Sequence, residues 1–259
     1  MVTAADIFTK EELENAKFST LPDRCVVFDT ETTGLTPRTD SILEIGAVLF
    51  DKEDYKKTGE IQSFQIFIKQ SKPIPKEATA INKITDDMVL DGVSEYEALT
   101  NFFEFVGERE VYAYNAKFDR DFITETAKRC GYHDTDYKFK VKDILKIVRE
   151  SCANEGLYDF KLATVAKHFE IEVVGAHRAL KDSVMALQVF VRIQQQKAIA
   201  LHADVALELE GIRTETERLQ KENEALEIRK SGNGWGWFVM YICFAIFLIL
   251  LSVWGKNRN

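Results

Sequence analysis

The chain has 259 residues, 46% of them hydrophobic, and a formal net charge of −8. That size allows one substantial core with appendages, and the acidic balance excludes a protein that coats nucleic acid through a general basic surface. Cys25, Cys130, Cys152 and Cys243 are scattered without a CxxC pair, which excludes a zinc ribbon or a disulfide framework and fits a reducing compartment.

The opening MVTAADIFTKEELENAKF lacks a basic region followed by an apolar stretch, so no cleaved signal peptide is expected. Residues 1–23 read as a polar helical extension that Leu21-Pro22-Asp23 ends. Cys25 to Asp29, Leu43 to Phe50 and Phe64 to Lys69 are rich in Val, Ile and Phe between turn residues, as strands of a buried sheet are. Ser94, with Glu97 three residues on, opens a capped amphipathic helix. Val111 to Ala113 reads as a short strand, and Phe118 to Cys130, Leu162 to Phe169 and Leu180 to Gln194 show helical spacing. The expectation is an α/β domain over 24–196, a central sheet covered by helices.

Residues 197–231 read as a helical stalk. Val205, Ile212, Leu219 and Leu226 recur every seven residues, with Leu209, Thr216 and Asn223 at the companion position. A parallel two-stranded coiled coil, giving a homodimer through 205–226, and a solitary charged stalk both fit this pattern. The segment 235–254, WGWFVMYICFAIFLILLSVW, has no charged residue and carries Trp235, Trp237 and Trp254 near its ends. It reads as one transmembrane helix, with 255–259 as a short tail. The expected arrangement is a single-pass, C-terminal tail anchor that meets the lipid bilayer through 235–254 and leaves the folded domain on the cytoplasmic side.

Three motifs carry chemistry. In Val26-Val27-Phe28-Asp29-Thr30-Glu31-Thr32-Thr33-Gly34-Leu35 an apolar strand ends in two carboxylates at alternate positions, which face the same side. A cation between them would remove the cost of that like-charge pair, although alone the pattern also fits two solvated strand-end residues. In Tyr114-Asn115-Ala116-Lys117-Phe118-Asp119, Asn115 can cap a helix whose opening turns carry Asp119. In Ala176-His177-Arg178-Ala179-Leu180-Lys181-Asp182, a loop histidine precedes a helix with an aspartate in its first turn, a pair that alone is also a common structural feature.

Taken together, the three motifs resemble the DEDD exonuclease superfamily, with Asp29 and Glu31 matching its first motif, Asp119 its second, and His177 with Asp182 its third. The five-residue step from His177 to Asp182 resembles the histidine (DEDDh) branch. The resemblance runs from about Val26 to Val191, and Ile42-Leu43-Glu44-Ile45-Gly46-Ala47, Ile84-Thr85-Asp86-Asp87-Met88 and His177-Arg178-Ala179-Leu180 look like the epsilon proofreading subunits of bacterial replicative polymerases. Tyr114 departs from the pattern, standing where many relatives have histidine. An exonuclease followed by a C-terminal anchor is similar in architecture to three-prime repair exonucleases.

The resemblance implies a ribonuclease H-like exonuclease domain, with a central mixed sheet flanked by helices, acting on single-stranded 3′ ends of nucleic acid, with DNA favoured. It implies two Mg²⁺ or Mn²⁺ ions held by Asp29, Glu31, Asp119 and Asp182, an all-oxygen set that suits such hard cations better than zinc. Asp29, Glu31 and Asp182 would hold the ion nearer the nucleophile, Glu31 also through water. Asp29 would bridge to the second ion with indirect help from Asp119. His177 would take the proton of the attacking water. Thr32, Thr33, Gly34 and Leu35 would line the terminal nucleotide, with Leu35 against its base and Asn115 and Phe118 beside the sugar and scissile bond. Trimming of RNA 3′ ends and a membrane-bound scaffold that holds 3′ ends without cleaving them stand as the alternatives.

Overall fold

A computed structural model describes residues 2–3, 22–58, 60–133, 140–173, 177–229 and 243–247. Among the described residues six strands form one sheet: β1 (Val2–Thr3), β2 (Arg24–Thr32), β3 (Ile42–Asp51), β4 (Glu60–Phe67), β5 (Glu110–Ala113) and β6 (Val141–Asp143). Their order is β1-β4-β3-β2-β5-β6. β2 and β3 pair antiparallel, as do β3 and β4 and β1 and β4, whereas β5 runs parallel to both β2 and β6. The sheet is therefore mixed, with β3 and β2 at its centre.

Around the sheet, among the described residues, lie the helices α1 (Lys52–Thr58), α2 (Lys76–Asn82), α3 (Asp86–Val89), α4 (Glu95–Val106), α5 (Ala116–Arg129), α6 (Ile144–Ser151) and α7 (Leu162–His168), and the long helix α8 (Ala179–Arg229) begins on it. The Ser94 cap read from the sequence is present: its Oγ accepts the backbone N–H of Glu97 at 3.2 Å.

Alternation along β2 divides the core. Cys25 and Val27, with Val48 and Phe50 of β3, face one side and pack against Ile144 and Val148 of α6, Val165 and Ala166 of α7, and Met185, Leu187, Val189 and Phe190 of α8. Val26 and Phe28, with Ile45, Ala47 and Leu49, face the other side and pack against α4 and α5 through Leu99, Phe102, Phe122 and Ile123. β3 is buried along its whole length, as a central strand covered by helices on both faces must be. Two charged residues lie in that buried run: Asp51 at its end, paired with Arg24, and Glu44 near its start.

The start of α8 lies directly on β3. A Cβ placed on Gly46 would fall 2.0 Å from the backbone nitrogen of Leu180, so the helix reaches this strand only where no side chain intervenes. Ser183 Oγ donates to Gly46 O at 2.8 Å, or to Ala179 O at 2.7 Å, and so ties the helix to the strand at the same place.

The chain divides into two compact units, residues 1–200 and 201–259. In the second, residues 201–229 are helical, with Val205, Ile212, Thr216, Asn223 and Leu226 half-buried and Leu209 exposed. Within the expected 1–23 extension, residues 2–3 form a strand paired with β4, and residues 4–21 lie outside the described residues. One expectation is corrected. The tail-anchored, single-pass arrangement is overturned: among the described residues no helix is long and apolar enough to cross a membrane. A span needs about 20 apolar helical residues; α8 has the length but is rich in charge. Of 235–254, only 243–247 is described, as a short helix, and the remainder lies outside the described residues.

Gly46→Ala is expected to lower stability by at least about 1–3 kcal/mol, the usual cost of overpacking. Thermal unfolding of the full chain reads this out, and an unchanged midpoint would contradict the close approach of α8 to β3.

Candidate active site

The apolar run of β2 stops at Phe28, and just beyond it Asp29 and Glu31 project from the face that carries α8. In the β2/β3 register Asp29 lies opposite Gly46 and Glu31 opposite Glu44. Because α8 begins against Gly46, its first turn delivers Asp182 to the same place. One carboxylate oxygen from each of Asp29, Glu31 and Asp182 lies within 4.8 Å of the others.

Asp119 reaches the site from the opposite layer, on α5, and stands outside that three-residue group. It is 2% exposed, and its Oδ1 accepts both the backbone N–H and the hydroxyl of Thr30, at 2.9 and 2.8 Å. Thr30 thus fixes the second motif to the first strand.

His177 sits at the exposed rim with φ at 66°, a left-handed conformation uncommon for a non-glycine residue. Its backbone N–H donates to Asp182 Oδ2 at 3.0 Å. The strained residue and the carboxylate five positions on therefore hold each other in place.

Burial and mutual repulsion raise the proton affinity of the whole acidic group. Desolvation, with Asp182, Glu44 and Asp119 nearby, pushes the Glu31 carboxyl up to about 8. Desolvation pushes Asp119 up to about 7 despite the hydrogen bonds from Thr30. Burial first, then the charges of Asp119, Asp182 and Glu31, raises Asp29 well above the ordinary carboxylate range, and burial raises Asp182. The guanidinium whose field reaches Glu31 is that of Arg178, and its fork is committed to Glu44, with Nε 3.1 Å from Oε2. Divalent cations resolve such a site without protonating it, and an all-carboxylate donor set fits hard cations bound through oxygen.

The connection from β2 to β3 is braced by its own side chains. Thr32 Oγ1 donates to Gly34 O at 2.6 Å, the backbone N–H of Ser41 donates to Thr33 Oγ1 at 2.9 Å, and that of Thr36 donates to Asp40 Oδ2 at 2.8 Å. A Cβ on Gly34 would meet Asp40 Oδ2 at 2.4 Å, so the turn closes on glycine. Leu35 stands out from this braced loop, 82% exposed. Asn82 anchors the loop's start, its Nδ2 donating to Thr32 O at 3.4 Å.

Asn115 occupies the position before α5 but does not cap it through its side chain; it is exposed and left-handed, with φ at 64°. Asp143 does the capping that was expected of Asn115, its Oδ1 accepting the N–H of Ala116 at 3.3 Å and of Leu145 at 3.0 Å. Phe118 is half-buried against Phe122, ring centroids 4.9 Å apart. Tyr114, the departure from the expected histidine, donates its hydroxyl to Phe160 O at 2.6 Å. Burial pushes the Cys25 thiol up to about 12, which leaves it inert as a nucleophile.

Sequence reasoning assigned no role to Thr30, Asn82, Asp143 or the Glu44–Arg178 pair. Glu44 carried one signal, a charge inside the otherwise apolar run Leu43–Phe50.

The pH dependence of stability follows from these shifts. A carboxyl whose proton affinity is raised by folding favours the folded state at low pH and loses that contribution as pH rises. For Glu31 the loss runs from about 4.5 to about 8. The metal-free full chain is therefore expected to melt at lower temperature at pH 8 than at pH 6. Mn²⁺ should raise the midpoint more at pH 8; a metal response that is the same at both pH values would contradict this electrostatic account.

Comparison with known proteins gives the family. The family described as exonuclease (RNase_T) matches residues 26–190. The DNA polymerase III subunit epsilon of Treponema pallidum is 33% identical over 163 residues, covering 63% of this chain and 73% of that protein. The PolC-type DNA polymerase III of Caldanaerobacter subterraneus subsp. tengcongensis is 34% identical over 178 residues, 69% of this chain but 12% of the relative's own length. Among solved structures, the nuclease domain of 3′hExo, described as a DEDDh family member bound to rAMP, superimposes with a TM-score of 0.58 at 18% identity over 68% of this chain and 94% of that one. E. coli exonuclease I in complex with a dT13 oligonucleotide gives a TM-score of 0.56 at 19% identity, covering 70% of this chain and 43% of that one. These likenesses give the ribonuclease H-like fold of the 1–200 unit. The chain thus belongs to the exonuclease family and is a metal-dependent 3′→5′ exonuclease of the DEDD type, resembling the epsilon subunit of DNA polymerase III.

Proposed function

We propose that the chain removes nucleotides one at a time from single-stranded 3′ ends of DNA and releases 5′-mononucleotides. The observation that carries this reading is the convergence of Asp29, Glu31 and Asp182 oxygens within 4.8 Å, at the end of a strand beside an exposed histidine. The similarity to a DNA polymerase III epsilon subunit supports DNA over RNA.

Asp29, Glu31, Asp119 and Asp182 would hold two divalent ions, Mg²⁺ or Mn²⁺. Such a pair supplies charge neutralisation at the attacking and leaving oxygens. His177 takes the proton of the attacking water as its oxygen forms the new bond to phosphorus. The bond to the 3′ oxygen of the preceding nucleotide breaks, and that oxygen leaves with a proton from solvent. Hydrogen bonding through its backbone keeps the His177 ring free to meet the substrate while Asp182 stays oriented. Thr32, Thr33 and Gly34 offer backbone groups to the terminal nucleotide. Leu35 presses on its base, a contact tolerant of sequence because every base has an apolar face. Asn115 and Phe118 flank the sugar and the bond to be cut.

Digestion of matched single-stranded DNA and RNA oligonucleotides by the full chain, with Mg²⁺, with chelator and with Asp29→Ala, tests the proposal. The expected result is metal-dependent release of mononucleotides, faster from DNA, and lost in the variant. Faster release from RNA would replace DNA as the substrate, and endonucleolytic cutting of a circle would contradict 3′-end action. His177→Ala is expected to slow turnover at least about 10²-fold, the usual contribution of a general base, while Mn²⁺ binding is retained. Undiminished turnover would remove His177 from the mechanism.

A further inference from the structure

Glu44 is a fifth carboxylate at the acidic cluster. It is 0% exposed and pairs with Glu31 across the β2/β3 register, so the two side chains rise from the same face of the sheet. Its charge is felt at Asp29, Glu31 and Asp182. A buried carboxylate in that position has the chemistry of another cation ligand, yet it is absent from the converging group of three.

The reason lies in its donors. Glu44 Oε2 accepts Arg178 Nε at 3.1 Å and the backbone N–H of Ala179 at 3.3 Å. Glu44 Oε1 accepts Arg178 Nη2 at 3.2 Å and the side-chain amide of Gln65. Four donors leave little room for a cation on either oxygen. The Arg178 guanidinium is itself held over the Phe67 ring, 5.3 Å from its centroid. Guanidinium stays charged at any working pH and grips a carboxylate with two parallel bonds, so the lock does not open by titration.

We propose that Arg178 is a positioning residue that keeps Glu44 out of the metal set, so that the cations are held by Asp29, Glu31 and Asp182 and are not drawn into the space between Glu31 and Glu44. The same grip holds the chain between His177 and Ala179, from which the general base and Asp182 are suspended. The inference rests on the metal-dependent reading above and names what limits its ligands.

The test measures Mn²⁺ binding to the full chain by titration, beside turnover on single-stranded DNA and melting of the metal-free protein. Arg178→Met leaves Glu44 as an unpaired buried charge that only a proton or a cation can neutralise. It is expected to change Mn²⁺ affinity and to lower turnover by at least about tenfold each, the usual scale for residues that orient metal ligands, and to lower the metal-free melting temperature. The double variant Glu44→Gln, Arg178→Met removes the surplus charge and is expected to return Mn²⁺ affinity and most of the turnover. Arg178→Lys, which keeps the charge but loses the fork, is expected to shift both in the same direction by less. It stands in for Arg178→Met should that variant fail to fold.

Unchanged Mn²⁺ affinity in Arg178→Met and Arg178→Lys overturns the proposal. So does a double variant as impaired as Arg178→Met, which would make Arg178 a direct substrate contact. Wild-type chain that binds no Mn²⁺ would instead overturn the metal-dependent reading itself, and this inference with it.

Discussion

Helix α8 can lie on β3 because position 46 has no side chain, and the rest of the site follows from that contact. The helix begins where Gly46 admits its backbone, and Ser183 ties the two elements together. The first turn then carries Asp182 to the ends of Asp29 and Glu31, residues more than 150 positions earlier in the chain. Glu44 lies two residues before Gly46 on the same face of β3, so the Arg178–Glu44 grip and the helix contact are parts of one junction. Asp119 is set independently, from the other face, by its two bonds from Thr30. Two helical layers thus meet over one strand end.

The cost of this arrangement is electrostatic. Asp29, Glu31, Asp119 and Asp182 all have raised proton affinity in the folded chain, chiefly through burial. The single-layer cores on either side of the sheet, anchored by Phe28 and Phe102 on one face and Phe50 and Phe190 on the other, supply the apolar burial that offsets it. Sites that bind charged ligands commonly sit in such strained, locally unfavourable surroundings. The left-handed His177 and Asn115, one at the mouth of each helix that brings an aspartate, fit the same pattern.

Much of the fold was legible because it rests on local signals. The apolar runs Cys25–Asp29 and Leu43–Phe50 and the Ser94 cap each report a preference that packing reinforced. β6 spans three residues and α3 four, too short for a period to show. The capping role of Asp143 depends on α5, 27 residues earlier, which no local pattern reveals. Arg178 and Glu44 are 134 residues apart and meet only through the α8–β3 contact. Asn115 was misread because its residue type favours capping, whereas here the same residue type serves a left-handed turn. The anchor reading failed for a different reason. A membrane span needs about 20 apolar residues in one helix, and no described helix is both that long and that apolar.

The most direct test of the account is an anomalous difference map from crystals of the full chain grown with Mn²⁺ and a 5′-mononucleotide. The account predicts Mn²⁺ peaks bound by Asp29, Glu31 and Asp182, with Glu44 still gripped by Arg178 and the His177 ring turned toward the nucleotide phosphate. A cluster without Mn²⁺, or a peak lodged between Glu31 and Glu44, would contradict it.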